Sequence, residues 1–268
     1  MAKSQFQIEL LERPGVSLDD AALAELVSEL RMVAATCFDD APSYQCLSGN
    51  REELKRCVIA VARDRQGRLR AFCSSLLLDV EGVGAVLHLG LTCVEPGVRG
   101  RALPRKLLVK LIARYYFRRV FPRRMWVSNV ACVLSSLGNV ALGFDGVYPS
   151  PFGPARPTAT HQKIASAISD NYRQAIYIDQ DAQFDTDTFV FRASVRDTMF
   201  QKDRDDSRYL HRSSVLNDYY GDLMSFDNGD EVCQVGYITA VSMLRYAVRR
   251  KTVRQVHAPS AAEHAAGA

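Results

Sequence analysis

At 268 residues, 47% hydrophobic and 24% charged, the chain has ordinary globular proportions and enough apolar residues for one elaborated α/β domain or two small ones. Its net charge of +4 suits an anionic substrate or cofactor but falls short of a dedicated nucleic-acid binder, and no run of about 18 apolar residues is present to span a bilayer. The 7 cysteines form no CxxC pair and are odd in number, and the N-terminus carries no apolar signal core, so reduced thiols and a cytoplasmic location are expected.

In chain order, Ser17 and Asp20 have capping-box spacing, and Leu23, Leu26, Val27, Leu30 and Val33 follow at helical period. A looser stretch from Cys37 to Asn50 leads to a short charged helix over Arg51–Arg56. Cys57–Ala62, Leu69–Val80 and Ala85–Val94 read as three strands, joined by turns at Arg63–Arg68 and Glu81–Gly84 into an antiparallel meander. After Pro96 a long helix is expected, with Leu107, Leu108, Leu111, Ile112, Tyr115 and Tyr116 on its apolar face and Lys106, Lys110, Arg114 and Arg118 on another, ending at Pro122. Met125–Asn129 reads as a fourth strand, parallel to the third, followed by a short helix over Cys132–Leu137.

The Gly/Pro-rich segment from Gly143 to Pro157 is the candidate boundary. Beyond it, His161–Ile176 reads as helix, Thr188–Ala193 and Glu231–Ile238 as strands, and Thr239–Arg250 as helix. The expected domains are 1–150, a C-terminal α+β extension over 151–255, and a disordered tail over 256–268.

Chemistry concentrates in Leu87–Leu108, where a strand, a short basic loop and a helix start follow one another. Free backbone N–H groups and the positive helix end converge there, which suits a phosphate or pyrophosphate, and Arg99, Arg101, Arg105 and Lys106 surround the same point. Neither GxxxxGK[ST] nor GxGxxG is present. The step Val94-Glu95-Pro96, then Arg99-Gly100-Arg101-Ala102-Leu103-Pro104 and Leu107-Leu108, together with the preceding meander, resembles the GNAT acyltransferase superfamily over roughly Leu18 to Phe144. Ala102 and Pro104 stand where that pattern has glycines, and Pro104 has no N–H to offer a pyrophosphate.

The resemblance implies an α/β (α+β) fold with a mixed, mostly antiparallel sheet flanked by helices. It also implies direct transfer of an acyl group from acyl-CoA, such as acetyl-CoA, to the amine of a small-molecule acceptor. The pantetheine arm would lie between the strand ending at Val94 and the strand over Met125–Asn129, against Cys93, Val94 and Asn129. The phosphates would meet Arg99, Gly100, Arg101, Ala102, Leu103 and Arg105. The family often places a tyrosine acid four residues before a Gly-Phe pair; here Asn139 precedes Gly143-Phe144, and Tyr148 is the nearest replacement. The acceptor amine needs a base of matched pKa, for which His88 is the candidate, since alternation sets it opposite a core face of Leu87, Leu89, Leu91 and Cys93.

Two other readings stay open: an acyl-carrier-protein donor, and a non-catalytic ligand-binding or interaction module. A homodimer is also open. Arg114–Trp126 mixes basic and aromatic residues as RNA-binding and membrane-surface segments do, but its periodicity reads as one buried aromatic face and one wet basic face. Asp179, Asp181, Asp185 and Asp187 fit no EF-hand loop, and His161 and His211 have no zinc-spaced partner, so no metal is expected.

Overall fold

The first strand, β1 (Gln7–Glu12), is an edge of half-buried residues that the sequence reading missed. In a computed structural model that describes residues 5–40 and 42–244, it pairs antiparallel with β2 (Cys57–Arg63). Between them lie α1 (Pro14–Ser17), α2 (Asp20–Ala34) and α3 (Arg51–Leu54). The cap of α2 is neither Ser17 nor Asp20: Asp19 accepts from the Ala22 N–H at 2.8 Å, while Ser17 closes α1.

The meander follows as expected, β2 pairing with β3 (Leu69–Val80) and β3 with β4 (Gly84–Val94), all antiparallel. The crossing helix α4 (Leu103–Tyr115) starts later than Pro96, because Pro96–Val98 forms a separate 3₁₀ turn, and it ends in a π turn over Tyr116–Val120. It returns the chain to β5 (Met125–Ala131), parallel to β4. Helix α5 (Leu134–Gly143) and β6 (Asp145–Tyr148) follow, so the segment read as a boundary contributes a strand.

Residues beyond 150 form α6 (Ala159–Asn171), α7 (Arg173–Ile176), β7 (Gln183–Asp185), β8 (Val190–Arg192), α8 (Ser214–Leu223) and β9 (Glu231–Ile238). They extend the same sheet, whose order is β1-β2-β3-β4-β5-β9-β8-β7 with β6 also on β9. The last strand in sequence therefore sits beside β5 near the middle. Of the helix expected over Thr239–Arg250, residues from 245 lie outside the described residues, as does the tail expected over 256–268.

Among the described residues, three apolar clusters hold these layers. One joins α2 and α6 to one sheet face through Leu30, Phe72, Ile164 and Val235. On the opposite face α4 packs through Leu107 and Leu111 onto Leu77, Leu87 and Val127. Beside it, α5 and α8 pack through Leu137 and Tyr220 onto Val190 and Val232.

Candidate functional site

The seam between β4 and β5 is short. The strands pair only at Leu87–Val127, His88–Ser128 and Leu89–Asn129, after which β4 continues to Val94 with β3 alone beside it. A bulge interrupts that stretch: Leu89 faces Ser75 and Thr92 faces Cys73, so Gly90 and Leu91 share the single residue Ser74. The glycine is required here, since a Cβ at residue 90 would stand 2.3 Å from Gln45 Oε1 and 2.9 Å from Ser74 Oγ. The extra residue reverses the alternation. Leu87 and Leu89 face α4, but Leu91 and Cys93 turn toward α2, which corrects the single core face expected from a regular strand.

His88 lies in the closed half of the seam. It is buried on the α2 side, opposite Leu76, with Nδ1 3.0 Å from Ser128 Oγ. Burial lowers its pKa to about 3, so the ring is neutral. Tyr148 lies in the same transverse row, through Ser128 and Val235, three strands away from His88 or roughly 14 Å at the usual strand spacing. Its hydroxyl donates to the Asp187 carbonyl. Asn129 is buried and donates to Gln234 Oε1 at 3.2 Å; Gln234 in turn donates to the Tyr220 hydroxyl at 2.6 Å and to the Leu137 carbonyl at 3.2 Å. Trp126, packed at 5.4 Å on both His161 and Tyr237, sits at the end of β5 away from where the strands part.

In the parted half, titratable groups gather. The Val94 carbonyl accepts from Cys37 Sγ at 3.5 Å and Arg99 Nε at 3.4 Å. A hydrogen bond from Cys93 draws the half-buried Cys37 thiol well below the usual thiol range and pushes the Cys93 thiol up. Glu231 opens β9 one residue before the last β5 pair, Ala131–Val232. It is buried, accepts from Ser194 Oγ at 2.6 Å, and is pushed up to about 7 by burial, against that hydrogen bond. Burial first and the Glu231 charge second raise the phenol of Tyr44 and the thiols of Cys132 and Cys233.

Rings from three segments meet near this carboxylate. Tyr44 lies 5.0 Å from Tyr177 and 5.9 Å from Phe200, and Phe38 lies 5.7 Å from Phe200. Cys132 Sγ donates to the Phe200 carbonyl at 3.1 Å, tying the end of β5 to the same cluster. Sequence reasoning missed Cys37, Tyr44, Gln45 and Glu231. A signal for Glu231 was present: with Cys233 and Val235 on the core face of a strand, alternation puts a lone carboxylate on that face too.

The loop that ends the seam is anchored by buried Glu95, paired with Arg70 at 2.6 Å and Arg68 at 3.1 Å. Gly100 has φ 78°, and Ala102, the residue before α4, has φ 55° and ψ 31°. This left-handed turn aims the first helical N–H groups out of the loop, and Pro104 removes one of them. Arg101 is turned toward β1, where it donates to Gln5 Oε1 and lies 5.9 Å from the Phe6 ring; Lys106 donates to the Arg101 carbonyl at 2.9 Å. Cys37 and Arg99 thus converge on the Val94 carbonyl, next to Cys93 in the strand, Gly100 to Arg105 form the adjoining turn, and His88, Tyr148 and Asn129 are engaged elsewhere.

No family model and no curated protein matches the chain. Solved structures similar to it include a ribosomal-protein-alanine N-acetyltransferase from Brucella melitensis biovar Abortus 2308, 16% identical over 44% of this chain and 76% of that one, TM-score 0.31. Another is a GNAT family N-acetyltransferase from Escherichia coli in complex with CoA, 16% identical over 53% and 69%, TM-score 0.30. A third is an aminoglycoside acetyltransferase from an uncultured soil metagenomic sample in complex with sisomicin, 14% identical over 47% and 79%, TM-score 0.32. Likeness this distant carries no substrate and no residue role across. The chain's own meander, its bulged β4 parting from a parallel β5, and the basic turn into α4 give the mixed, mostly antiparallel sheet flanked by helices that the sequence resemblance implied.

Proposed function

We propose that the protein transfers an acyl group from an acyl-CoA thioester to the amine of a small molecule. The observation that carries this reading is the seam: β4 and β5 separate beyond Leu89, and the separated end runs directly into a basic, left-handed turn at a helix start. An extended arm fits between such strands, with phosphates at the N–H groups of Leu103 and Arg105 and the charge of Arg99. Cys93 and Val94 would line the arm. Because Arg101 already rests on Gln5 and Phe6, its part in phosphate binding is secondary.

For the chemistry, Glu231 is a better base than His88. Its carboxylate titrates near neutrality, whereas His88 is neutral and weakly basic within the closed half of the seam. In this reading the amine nitrogen bonds to the thioester carbonyl carbon while its proton passes to Glu231, directly or through one water. Collapse breaks the carbon–sulfur bond, and the proton held on Glu231 passes to the leaving CoA thiolate, directly or through the same water, which returns the carboxylate to its starting form. Tyr148, bound to the Asp187 carbonyl, has a structural part.

Calorimetric titration with acetyl-CoA and with a longer acyl-CoA tests the donor. Micromolar binding that weakens about tenfold or more in Arg99→Ala, and less in Arg101→Ala, is expected for a charge-assisted phosphate contact. No binding of either thioester overturns the CoA reading, and activity with an acylated carrier protein alone would assign the donor there.

A further inference from the structure

The end of α4 does not follow the simple division into a buried aromatic and a wet basic face. Tyr115 and Tyr116 are buried, but Phe117 and Phe121 are 56% and 54% exposed. The π turn causes this. The Phe121 N–H donates to the Tyr116 carbonyl at 2.9 Å, a five-residue step that swings Phe121 beside Phe117, with ring centroids 5.8 Å apart at 43°. Buried Tyr116 braces both rings from beneath, at 5.3 and 6.2 Å. The result is a fixed apolar knob projecting from the surface.

Arginines flank the knob along the chain. Arg119 is held by Glu12, and Arg124 lies over the Tyr237 ring at 3.8 Å. Arg114, Arg118 and Arg123 are exposed and, among the described residues, pair with no carboxylate. They sit at the negative end of a helix, which favours a cation there, but one or two suffice for that. We propose that this knob docks the protein onto an anionic bilayer surface, the phenyl rings entering the acyl boundary and the three arginines meeting lipid phosphates.

The shape favours lipid over nucleic acid. Base stacking needs a ring face laid open, whereas here each phenyl ring packs against its neighbour and the pair presents one apolar tip. Residues 245–268 of this chain are a poor occupant, since Arg245, Arg249, Arg250, Lys251 and Arg254 repeat the charge of the patch.

The test is co-sedimentation of the full chain with vesicles of phosphatidylcholine alone and of phosphatidylcholine with one-third phosphatidylglycerol, at low and high salt. Binding is expected only to the anionic vesicles and is expected to fall with salt. Phe117→Ser/Phe121→Ser and, separately, Arg118→Gln/Arg123→Gln should each weaken it on the order of tenfold. Unchanged circular dichroism and acetyl-CoA binding in both variants would establish that they fold. Equal binding to neutral vesicles, no binding to anionic ones, or loss in neither variant overturns the proposal. So does a single-stranded RNA bound through the same residues without vesicle binding, or self-association through the knob in sedimentation velocity.

Discussion

The closed and parted halves of the β4–β5 seam are built from the same two strands, yet they treat ionisable groups in opposite ways. In the closed half, burial removes the charge from His88 and leaves Ser128 as its partner, so the ring is a spacer between packed strands. In the parted half, burial acts on a carboxylate and on thiols instead, and brings Glu231 to about 7, where it can exchange a proton at ordinary pH. The same desolvation thus silences a base and tunes an acid. What separates the two halves is a single extra residue on β4, which ends the regular ladder and turns Leu91 and Cys93 toward α2.

The largest effect expected from this contrast is on catalysis. If Glu231 is the base, the rate rises through about pH 7 as the carboxylate loses its proton and levels off above. Glu231→Gln should lower kcat/KM by about 10²–10³ and flatten that limb, with acetyl-CoA affinity retained. His88→Gln should keep the limb and lower only the melting temperature. A pH–rate profile that loses its limb in His88→Gln and not in Glu231→Gln would reverse the roles of the two halves.

A smaller effect is expected at the boundary between them. Gly90→Ala forces its methyl group onto Gln45 Oε1 and Ser74 Oγ, and should cost about 1–3 kcal/mol in denaturant unfolding. Gln45→Ala in the same chain should recover part of the loss, because Gln45 Oε1 is the nearest obstacle. Full stability of the single variant would mean that the bulge is not packed as described.

The smallest is at the turn. Ala102 holds a left-handed backbone that costs an alanine but not a glycine, so Ala102→Gly should raise stability by about 0.5–1 kcal/mol with acyl-CoA binding intact. A decrease in melting temperature would argue against the left-handed turn.

Much of the fold was legible because its elements obey simple periods. Leu69–Val80 and Glu231–Ile238 match their expected bounds, and the parallel return of β5 was expected from the helix between two strands. The edge strand Gln7–Glu12 was not, because its residues are only half-buried and carry no strong alternation. Helix α8 escaped notice since Ser214–Leu223 mixes Asn217, Asp218 and Gly221 with its apolar positions.

The basic turn at Arg99–Ala102 could be found from its residues alone. The rest of the site could not, since it joins Cys37 and Tyr44 to Glu231 across most of the chain. The bulge was equally hidden. Its one signal was Gly90 inside an apolar run, where a lone glycine often marks a bulge, and an assumed unbroken alternation put Leu91 on the wrong side.

The place of β9 carries a consequence for how the molecule comes to exist. Strands β1 to β4 are neighbours in sequence as well as in space, apart from the helices between β1 and β2, and can pair while the chain is still being made. β5 must wait: its second neighbour is made from residues 231–238, about a hundred positions later, and until they emerge its outer edge has unpaired backbone groups. Synthesis that stops short of Glu231 would leave an incomplete base of the seam and an adhesive strand edge together. The protein therefore acquires the proposed catalytic carboxylate in the same step that closes its sheet.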